Sequence, residues 1–531
     1  MEYIRVLRCF RAFYFGTLCR NSKQDQMALL KKLAGETAIY GLSSIVGRVV
    51  NWVILTPYLT REFTLDEYGI VNDLYFNIAL LLVFFTYRME TAFFRFASRA
   101  QKEQLAGGAT ADTADAVFTT ATLSIIASTV LLTALLWVQA PAIANYLLYP
   151  GRADYVRIFT LIIAFDALAA IPFARLRMDG RPLRFAFIKI GAIVANILLV
   201  FFFLEGCPWL IDHGQQWATL LYQPERRVAY VFWTNLLASG LTLLWLAPLY
   251  RHLAWRFVGE LWQRMLRYAL PLVVAGMAGI VNLLIGTPML KYLGGGTPEE
   301  NLALGGLYAA ATKLAVLMSL FVQAFNYAAE PFFFRHAAES DDRAVYADVA
   351  RAFALVGSLA FLGIMLYLEV IQYFLGRDFR KGLGVLPIAL IANFFLGLFY
   401  NFAIGFKLTD QTRWGGYIAL GGAVITIVVN VVFIPSLSYY APAWATLACF
   451  LFMTTAAYYY NRRRWPVPYA VGRMAYYLAL GLVAWGSSLL LAGYLPDGLV
   501  YRIAVNTVLL AATLLVLFKT EGPWLKSVLK G

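Results

Sequence analysis

Long apolar runs alternate with short polar gaps along almost the whole chain. Each run has about 20 residues or more, the length that an α-helix needs to cross a hydrocarbon core of about 30 Å. The pattern predicts an all-α, polytopic membrane protein with fourteen transmembrane helices. The predicted spans are residues 37–59, 69–90, 116–138, 154–175, 184–205, 228–250, 266–290, 303–333, 352–375, 383–406, 414–434, 438–460, 474–494 and 499–518.

Lys and Arg collect in the first tail, in every second gap and in the last tail. One such gap is flanked or filled by Arg175, Arg177, Arg181 and Arg184. Cytoplasmic loops of membrane proteins carry the excess of Lys and Arg. We therefore expect both termini and the even-numbered gaps to be cytoplasmic, and the odd-numbered gaps to be outside. The gap at 376–382 departs from this trend.

Composition narrows the possible functions further. The 531 residues are 61% hydrophobic and 14% charged, whereas soluble domains have about 25% charged residues. The net charge of +14 does not indicate a nucleic-acid partner, because the positive residues follow membrane topology. The chain has no Gly-Lys pair and so no P-loop, its three histidines are far apart, and no outer gap is long enough for a catalytic domain. We expect no enzyme activity, no metal site and no cofactor.

Residues 1–26 are basic and aromatic, and they have two interpretations. They form an interfacial helix, or they are an upstream extension with Met27 as the true start. Neither interpretation is favoured by the residues. The four cysteines are scattered and predict no disulfide framework.

An internal repeat divides the chain. Pro57 recurs as Pro288, 231 residues later, and the segment ETAFFR at 90–95 recurs as EPFFFR at 330–335, 240 residues later. Six spans separate the copies, so both copies cross the membrane in the same direction. This predicts two parallel six-helix lobes with a transport site between them. The predicted units are a basic N-terminal segment at 1–36, an N-lobe at 37–250, a C-lobe at 251–461, and two added helices with a cytoplasmic tail at 462–531.

Polar side chains inside the predicted spans are the candidate site residues. A charge at mid-bilayer costs several kcal/mol, so it needs a partner or a wet cavity. Arg48 has two open interpretations, contact with a ligand or an ion pair with Asp73. We expect a polar cavity between the lobes to be lined by Arg48, Lys313, Arg88, Asn51, Ser44, Gln323 and Asn326.

Other charges suggest gates or ion coupling. Asp73 and Lys313 are 240 residues apart and would face each other as an outer gate, unless Lys313 extends to the membrane surface. Isolated Asp166 and Glu369 are candidates for binding a coupling Na⁺ or proton, or are acids satisfied by neighbouring hydroxyls. A cytoplasmic gate, or ordinary interfacial charges, would account for Glu90, Arg95, Glu330 and Arg335.

Several motifs resemble a known family. The segment 30–44 (LKKLAGETAIYGLSS), the triplets at 56–58 (TPY) and 67–69 (EYG), and RMDGR at 177–181 are similar to those of bacterial polysaccharide-biosynthesis flippases. These belong to the multidrug/oligosaccharidyl-lipid/polysaccharide (MOP) exporter superfamily, together with the lipid II flippase. The resemblance covers about residues 27–519.

The resemblance implies a function. It implies alternating access that moves a polyprenyl-diphosphate-linked oligosaccharide, such as an O-antigen or capsule unit, from the cytoplasmic to the outer leaflet. Arg48, Lys313 and Arg88 are the positions that would meet the diphosphate. It also implies a monomer in the bacterial inner membrane, with the lipid-linked glycan and membrane lipid as partners, glycan-assembly enzymes as candidate partners, and coupling to Na⁺ or protons left open.

Two alternatives stay open. A multidrug exporter of the same superfamily, resembling the MATE group, predicts twelve helices and an acidic cavity for organic cations. A membrane glycan polymerase or ligase predicts a large outer loop with a catalytic Arg or His, which the gaps do not provide.

Overall fold

The computed structural model describes residues 45–105, 113–251, 253, 256–339, 342–409, 411–494, 496 and 498–530. The predicted basic segment 1–36 and the choice of start at Met27 therefore fall outside the described residues. Within them the chain is helical and has no β-strand. The predicted all-α fold is confirmed.

The first half contains ten helices among the described residues. Most are long, and α8 and α9 are short segments of the fifth predicted gap. They are α1 (45–62), α2 (Leu65–Thr86), α3 (Met89–Leu105), α4 (Ala114–Val138), α5 (Ala140–Tyr146), α6 (Ala153–Met178), α7 (Pro182–Phe201), α8 (Cys207–Asp212), α9 (Trp217–Leu221) and α10 (Arg227–Tyr250). A five-residue π-helix, Phe202–Gly206, joins α7 to α8.

The second half is built in the same way, with several spans broken into two helices. The helices are α11 (Gly259–Leu284), α12 (Gly286–Leu293), α13 (Pro298–Leu314), α14 (Val316–Glu339), α15 (Ala344–Leu366), α16 (Leu368–Ile371), α17 (Leu386–Phe402), α18 (Ile404–Leu408), α19 (Arg413–Leu437), α20 (Ala441–Arg464), α21 (Val471–Ala492) and α22 (Leu499–Lys530). A 3₁₀ segment, Asp378–Val385, precedes α17.

Membrane-length helices are the dominant feature of the described chain. Eleven segments are long and apolar enough to cross a bilayer, and twelve if α13 and α14, bent by 44°, form one span. One of the eleven, Arg413–Arg464, contains both α19 and α20. The protein is therefore a multi-pass membrane protein, and the number fourteen stays a prediction.

Helix packing separates two groups and an added pair. In the first half, α6 packs against α2, α4 and α10, and α10 packs against α7. In the second half, α20 packs against α17 and α19, and α19 packs against α11. The last two helices join the second half, because α21 packs along α15 and α22 contacts both. Apolar contacts, rather than local propensity alone, hold such long helices in place.

The two halves meet where α2 crosses α13. The contact is close because a glycine lies on each side: a Cβ atom at Gly69 would lie 2.0 Å from the carbonyl oxygen of Leu302, and one at Gly306 would lie 2.0 Å from that of Leu65. Small residues allow helix backbones to approach closely in a membrane. Both helices begin at the same end, which is the predicted outer end.

The glycine crossing predicts the effect of a single substitution. Gly306→Val should force α2 and α13 apart, since overpacking costs about 1–3 kcal/mol and 1.4 kcal/mol is a tenfold change in an equilibrium. The measurement is thiol cross-linking between Tyr146→Cys and Tyr292→Cys in a background without the native cysteines, because the Tyr292 hydroxyl donates to the Tyr146 carbonyl oxygen over 3.1 Å.

The matched control is Gly486→Val. Gly486 is also in a helix, and a Cβ atom there would meet nothing within 4 Å. Cross-linking should fall severalfold in Gly306→Val and stay at the parental level in Gly486→Val. Equal cross-linking in the two variants would show that the crossing does not hold the outer ends together.

Candidate functional site: a basic cavity in the first half

A cavity of about 900 Å³ lies within the first half and adjoins the second, whereas the sequence predicted a cavity between the lobes. Its walls come from α1, α2, the start of α3, α6, α7 and α10, and among the described residues the second half contributes Ile280 and Lys313. The cavity extends from Thr56, toward the predicted outer end of α1, to Arg177 near the predicted cytoplasmic end of α6. We call it the basic cavity, because its charged lining residues are Arg48, Arg88, Arg177, Lys189 and Lys313 against only Glu90 and Asp166.

Arg48 and Lys313 lie in this cavity from opposite halves. The Arg48 guanidinium donates to Gln323 Oε1 over 3.1 Å, which bridges α1 and α14. The amine of Lys313 forms no hydrogen bond or ion pair with the described residues, and its carbonyl oxygen accepts from the Trp52 indole over 2.8 Å. The structure thus brings together two of the predicted site residues and leaves one cation without a counter-charge.

An unusual backbone conformation at the end of α2 directs the Arg88 side chain into the cavity. Tyr87 and Arg88 both adopt left-handed φ angles, 33° and 57°, which non-glycine residues rarely do. The turn ends α2 and starts α3 in a new direction, and Glu90 Oε1 lies 3.8 Å from the Arg88 guanidinium. A Cβ atom at Gly276 would lie 2.3 Å from that guanidinium, so the glycine in α11 makes room for it.

Lys189 and Arg177 are cavity residues that the predicted set lacked. Lys189 is exposed to the cavity although it lies deep in the first half, and its amine stands 4.2 Å from the Phe173 ring centroid. Arg177 is exposed at the end of α6. The available signal was Lys189 and Asn196 sharing one face of α7, since seven residues make two helical turns.

Asp166 is held beside these cations. Its Oδ1 accepts from the Ser239 hydroxyl over 2.8 Å, between α6 and α10. Glu369, the second candidate for ion coupling, lies outside the cavity and pairs with Arg502 of α22. Of the two acids, only Asp166 lines the basic cavity, and the coupling role of either acid stays a prediction.

Some of the remaining predicted site residues lie at the basic cavity and others do not. Asn51 lines the basic cavity, and Gln323 reaches it through Arg48. Asn326 lines neither this cavity nor the smaller one described below. Ser44 lies outside the described residues, and so does the side chain of Arg335.

A buried ion pair closes the predicted outer end. Lys291 Nζ lies 2.5 Å from Asp73 Oδ2, and neither side chain is more than 1% exposed. The Tyr149 hydroxyl donates to the same oxygen over 2.7 Å, and Lys291 also donates to the Leu147 carbonyl oxygen over 3.0 Å. The pair connects α2 of the first half to α12 of the second.

The partner of Asp73 corrects the sequence analysis. Asp73 faces neither Lys313 nor Arg48 but Lys291, which was assigned to an outer gap. The reason is that α12 continues to Leu293, so Lys291 sits on a helix that packs on α2 rather than in a loop.

The charges expected to form a cytoplasmic gate pair differently from the sequence-based expectation. Glu330 pairs with Lys407 of its own half, 2.6 Å apart, because the short helix α18 packs against α14. The Arg95 guanidinium lies 4.3 Å from the centroid of Tyr268 in α11, so Arg95 does contact the other half. A direct contact of Glu330 with Arg88, Glu90 or Arg95 is absent from the described residues.

A smaller cavity of about 410 Å³ lies in the second half. It is lined by α11 to α14, α17 and α20, and it shares Asn72, Tyr75 and Lys313 with the basic cavity. We call it the hydroxyl cavity. Lys313 is its one charged lining residue among those described.

The fold is similar to that of solved membrane transporters. The lipid II flippase MurJ in an inward closed conformation gives a TM-score of 0.64 at 10% identity, covering 91% of this chain and 99% of that chain. An inward-facing multidrug resistance MATE family transporter of the MOP superfamily gives 0.58 at 14% identity, covering 81% and 94%, and an outward-facing one gives 0.54 at 13%, covering 81% and 95%. No protein-family model and no curated protein matches the sequence. The chain therefore has the fold shared by the lipid II flippase and the MATE transporters.

The ion pair predicts how the outer end opens. Asp73→Asn leaves the Lys291 charge buried without its counter-charge, and breaking a buried pair in this way costs about 3–5 kcal/mol. A cysteine at Thr56 should therefore react much faster with a membrane-impermeant maleimide added from the outside. The double variant Asp73→Leu/Lys291→Met should return to slow labelling, because the pair is replaced by apolar groups.

The control for general charge effects is Arg99→Gln. Arg99 belongs to an exposed ion pair with Glu103 on α3, and exposed pairs contribute little. Arg99→Gln should label as slowly as the parent. Slow labelling in Asp73→Asn as well would mean that the buried pair does not control the outer opening.

Proposed function

We propose that the protein moves a polyprenyl-diphosphate-linked oligosaccharide from the cytoplasmic to the outer leaflet by alternating access. The observation that carries this proposal is the charge of the basic cavity, which has five cationic lining residues against two carboxylates. The O-antigen, capsule and similar repeat units are the cargo class. The proposed location is a bacterial inner membrane with both termini cytoplasmic, and the proposed form is a monomer that transports and does not catalyse.

A diphosphate supplies the negative charge and the hydrogen-bond acceptors that the cationic side chains of this cavity lack. Arg and Lys form charge-assisted hydrogen bonds with phosphate oxygens, and Arg does so with two N–H groups at once. Arg48 and Lys313 approach from opposite halves, so a bound diphosphate would hold the halves together through both. A bound anion would supply the counter-charge that the described residues do not give the Lys313 amine, and that water alone would otherwise have to replace.

Outward transport agrees with a cavity that is closed at its predicted outer end. The Asp73 and Lys291 pair and the glycine crossing seal the predicted outer end, while Arg177 and Arg88 line the part of the cavity near the predicted cytoplasmic ends of α6 and α2. A headgroup would therefore enter from the cytoplasmic side. A membrane potential, negative inside, assists outward movement of an anion by about 2.3 kcal/mol per charge per 100 mV.

Export of organic cations is the main competing function. It would use the same fold, since MATE transporters also match it. The excess of positive charge in the lining of the basic cavity repels a cationic ligand and attracts an anionic one. The flippase function is therefore the better fit.

Charge removal in the cavity tests the proposal. Arg48→Ala and Lys313→Ala should each slow flipping roughly tenfold to a hundredfold, because a hydrogen bond to a charged group contributes about 1.5–3 kcal/mol. The measurement uses proteoliposomes with a fluorescent polyprenyl-diphosphate-linked N-acetylglucosamine and an impermeant quencher. Lys313→Arg should retain most of the rate, since the charge is kept, and Arg48→Lys should be faster than Arg48→Ala but slower than the parent, since it keeps the charge and loses the paired N–H groups.

The matched control is Lys102→Gln, which removes a cation from an exposed position on α3. It should flip at the parental rate. Parental rates for both alanine variants would refute the diphosphate contacts, and a wild-type protein that leaves the lipid in its original leaflet would refute the function.

Ion coupling has a separate test. Asp166→Asn should abolish any acceleration of flipping by an imposed Na⁺ or proton gradient, because Asp166 is the acid that lines the cavity beside Lys189. Glu369→Gln should keep the acceleration, since that carboxylate is paired with Arg502 outside the cavity. The reverse pattern would assign coupling to Glu369.

A further inference from the structure

The hydroxyl cavity has a chemistry different from that of the basic cavity. Apart from Lys313, its polar lining consists of uncharged hydroxyl and amide groups. They come from the second half and from α2, and the main ones are Asn72, Thr287, Thr312, Ser319, Asn393 and Thr446. The volume of about 410 Å³ lies in the range of small-ligand pockets, which is about 300–1,000 Å³.

The hydrogen-bonding state of these groups makes the wall an acceptor surface. Thr312, Ser319 and Thr446 each donate the hydroxyl hydrogen to a carbonyl oxygen three or four residues earlier in the same helix, over 2.9–3.0 Å. Asn393 uses one amide hydrogen in the same way, over 2.9 Å. The oxygen lone pairs of Thr312, Ser319 and Asn393 remain available to a ligand, whereas Thr446 also contacts the Tyr308 hydroxyl. The complementary ligand is rich in hydroxyl donors.

Apolar surface between the acceptors fits the same ligand. Phe76, Phe450 and Leu283 line the cavity alongside the polar groups. A sugar ring has donors around its edge and apolar C–H faces, so it matches a wall of acceptors interrupted by hydrocarbon. An acidic group would find one cation, Lys313, and a cationic group would find no carboxylate in the lining.

We propose that the hydroxyl cavity binds uncharged sugar residues of the cargo while the basic cavity holds the diphosphate. This inference rests on the proposed function. Lys313 lies at the junction, because it lines both cavities together with Asn72 and Tyr75. The bond between sugar and phosphate passes this junction. The first half, together with Lys313 of the second, holds the diphosphate, and the rest of the second-half wall holds the sugar.

Two probes separate the two subsites. The first is a short-chain polyprenyl diphosphate, and the second is the same lipid carrying two N-acetylglucosamine residues. Apparent Kd values are measured by native mass spectrometry of the purified full-length protein. The variant Thr312→Val/Asn393→Leu removes two acceptors and changes side-chain volume little, so it should weaken binding of the glycosylated lipid about tenfold and leave binding of the bare diphosphate unchanged.

The comparison variant is Lys189→Gln, which acts in the basic cavity. It should weaken binding of both probes by the same factor, while Lys189→Arg should bind both normally. Unchanged affinity of Thr312→Val/Asn393→Leu for the bare diphosphate also shows that the variant is folded.

Three outcomes overturn the assignment. Wild-type protein that binds both probes equally has no sugar subsite, although the proposed function stands. Thr312→Val/Asn393→Leu that binds the glycosylated lipid normally, or that weakens both probes equally, places the sugar elsewhere. Wild-type protein that binds neither probe refutes the proposed function itself, which distinguishes that failure from a failure of the subsite.

Discussion

A charge inside a membrane protein must meet an opposite charge, water or a ligand, and this constraint divides the charges within the helices of the protein into two groups. Asp73 and Lys291 satisfy each other at the boundary between the halves. Glu521 of α22, which is fully buried, is paired with Arg351 and Arg473 and ties the last helix to the second half. These pairs couple particular helices, because separating Asp73 from Lys291 or Glu521 from both of its arginines would leave a buried charge uncompensated.

The cations of the basic cavity form the second group. The single close carboxylate of Arg88 is Glu90, 3.8 Å away, and the Lys313 amine has no partner among the described residues. Lys189 is exposed to the cavity and contacts the face of Phe173. Such an arrangement is unfavourable for an empty, dry protein, so it requires a hydrated cavity or an anionic ligand. The inferred function follows from that requirement more than from the fold.

The two halves share a repeat but not its chemistry. Asn51 lines the basic cavity, whereas its counterpart Asn282 is buried and donates to the Ala419 carbonyl oxygen within the second half. Thr60 and Lys291 are also counterparts. Both contact the opposite half, Thr60 by accepting from the Gly376 amide over 3.1 Å and Lys291 by pairing with Asp73. A common backbone therefore supports matching contacts between the halves, while one cavity is basic and the other is lined by hydroxyls.

Two kinds of contact join the halves at the predicted outer end. The glycine crossing excludes side chains from between α2 and α13, and the ion pair adds one strong interaction beside it. Contacts of this kind have two discrete arrangements, together or apart, which suits a two-state transition. The 44° bend between α13 and α14 directly follows the helix that makes the glycine crossing.

The sequence by itself determined the all-α membrane fold and several of the cavity residues. Backbone N–H and C=O groups in lipid must be hydrogen-bonded within the chain, so long apolar segments form helices. A charged residue within such an apolar segment can be recognised directly in the sequence. This is how Arg48, Arg88 and Lys313 were found. Their meeting in one cavity, and the addition of Arg177 and Lys189, were decided by the packing of α6, α7 and α13, which brings together residues more than a hundred positions apart. The partner of Asp73 was likewise decided by the tertiary structure, because pairing depends on which helix continues past Leu290 and on which surface it packs, and neither is encoded in local hydropathy.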